Sequence, residues 1–107
     1  MFPLAAEYSG LVKAVLAFSP GDYLEGGAAI KAAQRTWMPV FVSSATTLSE
    51  VGFTQPVFDA VASSDKVYFL PRAGSEHGSL SLIRAENPDG YEEVWAAVLT
   101  FLQRVVG

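Results

Sequence analysis

Three short apolar runs alternate with longer segments of mixed composition, and this alternation leaves few architectures open to the chain. The runs occupy residues 11–18, 39–44 and 66–70. The first is almost continuously apolar, which is typical of a strand buried on both faces of a sheet. Strands separated by helical segments form a parallel sheet with right-handed crossovers. The sequence therefore predicts an α/β fold, a small three-layer domain of about three parallel strands with flanking helices over residues 1–107.

The segments around these runs carry helix signals. Residues 1–8 are predicted to be the last turns of a helix that ends at Gly10, so the chain would begin inside an element. Residues 26–37 are predicted to form a short helix. Another helix is predicted from about residue 54 to residue 62, with Pro56 tolerated in its first turn.

The last helix has the clearest pattern. Asp89 and Glu92 have the spacing of a capping box, in which two side chains satisfy backbone N–H groups at a helix start. The apolar residues that follow fall on one helical face: Val94, Val98, Phe101, Leu102 and Val105. An amphipathic helix with one face against the sheet is therefore expected at this end of the chain.

Composition excludes several classes of function. Of the 107 residues, 50% are hydrophobic and 17% are charged, which favours a globular domain over a disordered chain. The net charge is -4 and the seven basic residues are scattered, so no nucleic-acid partner is expected. No apolar stretch approaches the ~20 residues of a membrane span, so no membrane partner is expected either.

The chain has no cysteine and one histidine, which excludes disulfides, thiolate chemistry and multi-histidine metal sites. The sequence contains no glycine-rich phosphate loop and no metal-ligand spacing, so we expect no metal and no cofactor. Residues 1–10 lack a basic segment followed by an apolar core, which predicts a cytoplasmic protein. A targeting signal of a longer parent protein would lie outside this chain.

The single histidine, His77, follows the third strand in the loop sequence Gly-Ser-Glu-His-Gly-Ser. Catalytic groups of open parallel sheets gather just beyond the carboxyl ends of the strands, and an imidazole there can act as a general base. Alternatively, His77 is a solvent-facing loop residue. A base of this kind needs a carboxylate on its far ring nitrogen. Glu50, downstream of the second strand, is the candidate, and its alternative interpretation is a solvated charge near a helix start.

Serine is abundant, but no serine lies in Gly-x-Ser-x-Gly, the strained turn that exposes a nucleophile beside backbone donors. Most serines are expected to be turn and cap residues, with Ser43 and Ser44 as candidates for lining a site. A further group is expected either to line a substrate pocket near the strand exits or to belong to the core: Asp22, Tyr23, Trp37 and Phe53.

The order of these features resembles the C-terminal part of the α/β-hydrolase fold, and within it the dienelactone-hydrolase-like branch. The first strand leads into Ser-Pro-Gly-Asp-Tyr at residues 19–23, and a second strand and a helix follow. The third strand leads into Pro-Arg-Ala-Gly-Ser-Glu-His-Gly-Ser at residues 71–79, before the long last helix. The resemblance covers essentially the whole chain and implies one half of an α/β-hydrolase fold.

The resemblance also implies a function. The complete protein would be a serine hydrolase that cleaves a small-molecule ester or lactone, with His77 as the base of its triad. The acid of the family follows the second strand, where this chain has Thr46 and Thr47, so Glu50 would be a displaced substitute. The nucleophile elbow of the family would lie before Met1, and the isolated chain would be inactive.

In that family the first strand also pairs on its outer side, so residues 11–18 would form an unpaired apolar edge here. Such an edge is a template for a second copy, and we expect a homodimer or a higher oligomer. Two other functions stay open. One is a free-standing, non-catalytic domain that self-assembles or binds a small ligand. The other is a minimal esterase that uses a serine of this chain.

Overall fold

A computed structural model describes residues 2–8, 10–21, 27–72 and 77–106 of the protein.

Three strands form one parallel sheet in the order β1-β2-β3: β1 is Val15–Phe18, β2 is Val40–Ser43 and β3 is Lys66–Phe69. Val40 lies opposite Val15 on one side and opposite Lys66 on the other, and both strand pairs are parallel. The predicted α/β class and the three-stranded parallel sheet with flanking helices are confirmed. Consecutive strands are neighbours, so their carboxyl ends lie side by side along one edge of the sheet.

The strands are shorter than the apolar runs that predicted them. The run at residues 11–18 yields only the four residues of β1. Its first part is a turn, because the backbone N–H groups of Leu11 and Val12 both donate to the carbonyl of Tyr8, at 2.9 and 3.1 Å. Leu11 is 79% exposed, so apolar character there does not reflect burial in the sheet.

Helices cover both faces of the sheet. They are α1 (Phe2–Glu7), α2 (Ala28–Ala33), α3 (Leu48–Ala60), a 3₁₀ helix (Gly78–Leu82) and α4 (Tyr91–Val106). Helices α1, α2 and α3 pack on one face, against alternate strand residues such as Val40 and Val42. Helix α4 packs on the other face, around Phe41. Because successive strand residues point to opposite faces, β2 contributes to both cores, which gives three layers.

Helix α3 begins earlier than predicted. Thr47 is its N-cap, and the Thr47 hydroxyl accepts a hydrogen bond from the Glu50 N–H at 3.3 Å. Pro56 therefore lies inside the helix and not in its first turn, so that part of the prediction is wrong. The helix starts well before Pro56 because Thr47 and Glu50 have the Thr-x-x-Glu spacing that caps a helix N-terminus. The missing N–H of Pro56 would have faced the carbonyl of Gly52, on the exposed side of the helix.

The start of α4 also differs from the prediction. The carbonyl of Gly90 accepts the hydrogen bond from the Val94 N–H at 3.2 Å, so Gly90 occupies the cap position and Tyr91 is the first helical residue. The predicted capping box of Asp89 and Glu92 is thus out of register by one residue. The predicted apolar face is confirmed: Val94, Val98 and Phe101 are buried, and Leu102 and Val105 pack beside them.

Candidate active site

His77 lies at the edge of the sheet formed by the carboxyl ends of the strands. It precedes the 3₁₀ helix, whose first residue, Gly78, donates its N–H to the hydroxyl of Ser19 at 2.8 Å. Ser19 directly follows β1, whereas the loop that carries His77 follows β3. The hydrogen bond thus joins the residue after β1 to the segment that follows β3. This placement agrees with the edge at which open parallel sheets bind ligands.

Glu50 contacts His77. The Glu50 Oε1 and the His77 Nδ1 are 2.5 Å apart, although the two residues are 27 positions apart in the sequence. The structure thus brings the two predicted site residues together. A carboxylate at Nδ1 favours the tautomer with the proton on Nδ1, which leaves the lone pair on Nε2. The His77 side chain is 60% exposed, so the ring stands at the protein surface.

The N-terminal turn of α3 positions Glu50. Thr47 and Glu50 have the spacing of a capping box, in which the glutamate side chain reaches back to the N-cap N–H. Here the Glu50 carboxylate contacts His77 instead, while Thr47 still caps the Glu50 N–H. A negative charge in the first turn of a helix is favoured by the helix dipole. The helix dipole therefore stabilises the negative charge of Glu50 without a cationic side chain beside it.

The two oxygens of the Glu50 carboxylate differ in their contacts. Glu50 Oε2 is buried and has no hydrogen-bond partner among the described residues, although the side chain as a whole is 20% exposed. A buried polar atom without a partner costs about 1–3 kcal/mol. The contact with His77 is consequently the one hydrogen bond that the described residues supply to this carboxylate.

Thr46 and Thr47 occupy the positions where the resemblance implied an acid. Thr47 serves as the helix cap, and both side chains are exposed. Glu50, three residues after Thr47 and in the first turn of α3, contacts His77. The early start of α3 therefore brings an acidic side chain close to the carboxyl end of β2.

The serines near the strand exits have structural partners. The Ser44 hydroxyl lies 2.7 Å from the hydroxyl of Tyr68 and 3.0 Å from the carbonyl of Ala45. Ser43 is buried at the end of β2. Ser19 was expected to be an ordinary turn residue, yet it has a φ of 52°, in the left-handed region, and binds the loop of His77. The sequence signal that could have indicated a role for Ser19 at the site is its position directly after the first strand.

Of the four residues expected either to line a pocket or to belong to the core, the structure describes Trp37 and Phe53. Trp37 lies between α2 and β2, at the amino end of the strands and on the side opposite to His77, and it is 71% exposed. Phe53 is 51% exposed on α3. Both residues are too exposed for a role in the core. Asp22 and Tyr23 lie outside the described residues, as does the segment 73–76 of the histidine loop.

A cleft of about 390 Å³ opens beside β1, at the same end of the sheet. Its walls are formed by Phe2, Pro3, Ala29, Ser79 and residues 16–21. Most of these side chains are apolar, and Ser19 and Ser79 add hydroxyl groups next to the histidine loop. A cleft of this size and character suits a small, largely apolar ligand.

Within the described residues, no three His, Asp or Glu side chains group together as a metal site requires. No helix in that part of the chain has the length and apolar character needed to cross a membrane.

Comparison with family profiles, curated proteins and solved structures found no match to this chain.

Proposed function

We propose that Glu50 and His77 are the acid and the base of a serine hydrolase of the α/β-hydrolase type, in its dienelactone-hydrolase-like branch. The complete protein would hydrolyse a small ester or lactone. One observation carries this proposal: the 2.5 Å contact between the Glu50 carboxylate and His77 Nδ1, at the edge of the sheet where the carboxyl ends of the strands lie. A carboxylate on Nδ1 is what a histidine base requires.

The chemistry follows from this arrangement. The lone pair on His77 Nε2 takes the proton from a serine hydroxyl as that oxygen attacks the carbonyl carbon of the substrate. The imidazolium that forms is stabilised by Glu50, and it then gives the proton to the leaving alcohol. Water then attacks the acyl-enzyme while His77 takes its proton, and the proton passes to the serine oxygen as the carboxylic acid product leaves. The exposure of the His77 ring leaves room for a substrate beside it.

The nucleophile would come from outside these 107 residues. The sequence has no Gly-x-Ser-x-Gly, and Ser44 is held by Tyr68 and Ala45. The hydroxyl of Ser19 is engaged with Gly78, and Pro20, which follows it, has no N–H to stabilise an oxyanion. We therefore expect no turnover by the isolated chain.

The test begins with the coding frame upstream of the Met1 codon. We expect it to encode Gly-x-Ser-x-Gly, and we expect the longer product to react with a fluorophosphonate at that serine. Labelling should be lost in the His77→Ala variant and retained in the Gln34→Ala variant, which changes an exposed residue of the cap of α2. A stop codon directly upstream, or labelling that does not depend on His77, would contradict the proposal.

A second function is supported by the edge of the sheet. Among the described strands, β1 pairs with β2 alone, so its other side is open, and the apolar cleft lies along it. An open edge of this kind pairs readily with another strand. The alternative proposal is a non-catalytic domain that forms a homo-oligomer through β1 or binds a small ligand in the cleft. Turnover by the longer product would contradict a purely non-catalytic role.

A further inference from the structure

We infer that Ser19 is a positioning residue for His77. Its hydroxyl holds the main chain of the histidine loop, so that the imidazole meets Glu50. The inference rests on the proposed function, because it assigns Ser19 a part in the same site.

The backbone of Ser19 is in a conformation that serine rarely adopts. Its φ is 52°, directly after the last residue of β1, and the residue is only 5% exposed. Non-glycine residues in this region are uncommon and concentrate at functional sites. The Ser19 N–H donates to the carbonyl of Ser43 at 2.6 Å, which ties the turn to the end of β2. The turn is thus fixed to the sheet, and the hydroxyl is fixed with it.

The hydroxyl accepts the hydrogen bond of the Gly78 N–H at 2.8 Å. This N–H belongs to the peptide bond that joins His77 to Gly78. The carbonyl of Gly78 is held as well, because the Ser81 hydroxyl donates to it at 3.0 Å. Gly78 has a φ of +68°, so this position is a sharp bend. The main chain beside His77 is therefore anchored to two strands through Ser19.

The anchor matters because little else fixes the ring. The His77 side chain is 60% exposed, and its contact with Glu50 is the polar contact that the described residues provide. A hydrogen bond to an exposed ring is better maintained where the main chain beside the ring is held in place. Loss of the Ser19 hydroxyl would leave the Gly78 N–H without its partner and allow the loop to move away from Glu50.

The measurement uses the fact that His77 is the one histidine in the chain, so its imidazole nitrogens are observed without overlap. Long-range ¹H–¹⁵N correlation at a pH where the ring is neutral reports the ratio of the Nε2–H form to the Nδ1–H form. We expect the Nδ1–H form to dominate in the wild-type protein. In Ser19→Ala we expect the ratio to rise roughly fivefold, as for the loss of one hydrogen bond.

A second variant separates positioning from stability. Ser19→Gly also removes the hydroxyl, but glycine adopts positive φ freely, so the melting temperature should stay at or above that of Ser19→Ala. We expect the same change in the tautomer ratio in both variants. Ser44→Ala is the matched control, because Ser44 is a buried serine at the same end of the sheet whose hydroxyl contacts Tyr68 and Ala45. It should leave the imidazole spectrum unchanged.

The outcomes distinguish this inference from the proposed function. If the wild-type ring has the Nδ1–H form, and folded Ser19→Ala and Ser19→Gly keep it, then Ser19 does not position His77 and the Glu50–His77 pair stands. If the Nε2–H form dominates already in the wild-type protein, then the pair itself is absent in solution and the proposed function fails with it.

Discussion

At the scale of single residues, Glu50 combines two roles that are usually separate. It lies in the first turn of α3, where its N–H is capped by Thr47, and its carboxylate contacts His77. The helix dipole favours the charge at this point, and the imidazole supplies the hydrogen bond for one oxygen. A substitution of Glu50 should therefore change the state of the histidine more than the helix.

We predict that Glu50→Gln shifts the tautomer of His77. The hydrogen bond to a charged acceptor becomes a bond to a neutral amide, which is weaker, and the amide can also present its N–H₂ to Nδ1. The ratio of the Nε2–H form to the Nδ1–H form should rise roughly tenfold in the NMR measurement. Glu86→Gln, which changes an exposed acid outside the site, is the control. An unchanged ratio in Glu50→Gln would show that the contact does not set the tautomer.

A second ionic contact joins Arg104 of α4 to Asp65, with 2.7 Å between Nη1 and Oδ2. The hydrogen bond from Arg104 lowers the pKa of Asp65, with its charge adding to the effect and partial burial opposing it. The pKa of Arg104 is raised by the same bond. Because the folded pKa of Asp65 lies below its unfolded value, the pair stabilises the fold above that unfolded value. The stabilisation is lost as the pH falls through the folded value.

We predict that Arg104→Gln lowers the free energy of unfolding at pH 7 and that the difference from wild type shrinks as the pH falls below about 4, the ordinary pKa of an aspartate in an unfolded chain. Both side chains are largely exposed, so the effect should be small and should decrease with salt. Denaturant unfolding at several pH values measures it. Lys31→Gln, which removes an exposed positive charge from α2, should show no such pH dependence. A difference that stays constant down to pH 2.5 would contradict the assignment to Asp65.

At the scale of elements, α3 has a weak point in its middle. Pro56 lies inside the helix and Gly52 one turn before it, and a Cβ added at Gly52 would meet no atom within 4 Å. Glycine in the interior of a helix loses more backbone entropy than alanine does. The open space and ordinary backbone at Gly52 make it a site at which alanine should be accepted.

We predict that Gly52→Ala raises the free energy of unfolding by about 0.5–1 kcal/mol. Gly78→Ala is the contrasting variant: it also has no atom within 4 Å of the added Cβ, but its φ is +68°. The left-handed conformation costs an alanine roughly 1–2 kcal/mol, so this variant should be destabilised. Chemical denaturation of both variants tests the pair. A gain in Gly78→Ala would mean that the bend beside His77 is not maintained in solution.

At the scale of the whole molecule, both outer strands of the sheet have one open side among the described residues. The edge at β1 was expected from the sequence to lead to self-association, and the strand there is shorter than expected. Leu11 lies just before this edge and is 79% exposed. An exposed leucine beside an open strand is a natural part of a contact between two copies.

We predict that the isolated chain forms a homodimer or a higher oligomer at micromolar concentration, as measured by light scattering. Leu11→Lys should weaken the association by roughly tenfold or more, because burial of one leucine contributes about 1.5–3 kcal/mol. Leu48→Lys is the matched control, since Leu48 is 92% exposed and follows β2 at the other end of the sheet. A clean monomer in the wild-type protein would contradict the prediction, and equal effects of both substitutions would place the interface elsewhere.

Secondary-structure elements with one clear local sequence pattern were predicted correctly. The apolar run of β2 and the spacing of Val94, Val98 and Phe101 led directly to a buried strand and a buried helix face. The start of α3 was missed because two local signals competed there. Pro56 favours a start near residue 54, whereas the Thr47–Glu50 spacing begins the helix at Leu48.

The amino-acid sequence by itself determined the α/β class, the three parallel strands and the place of His77 after the last of them, because periodicity and strand order depend on neighbouring residues and on the handedness of crossovers. Only the tertiary structure decided which residues meet His77. Glu50 and Ser19 lie 27 and 59 positions from the residues they contact in its loop. Such contacts depend on how distant segments pack at the carboxyl ends of the strands and on the early start of α3, and neither leaves a periodic pattern in the sequence.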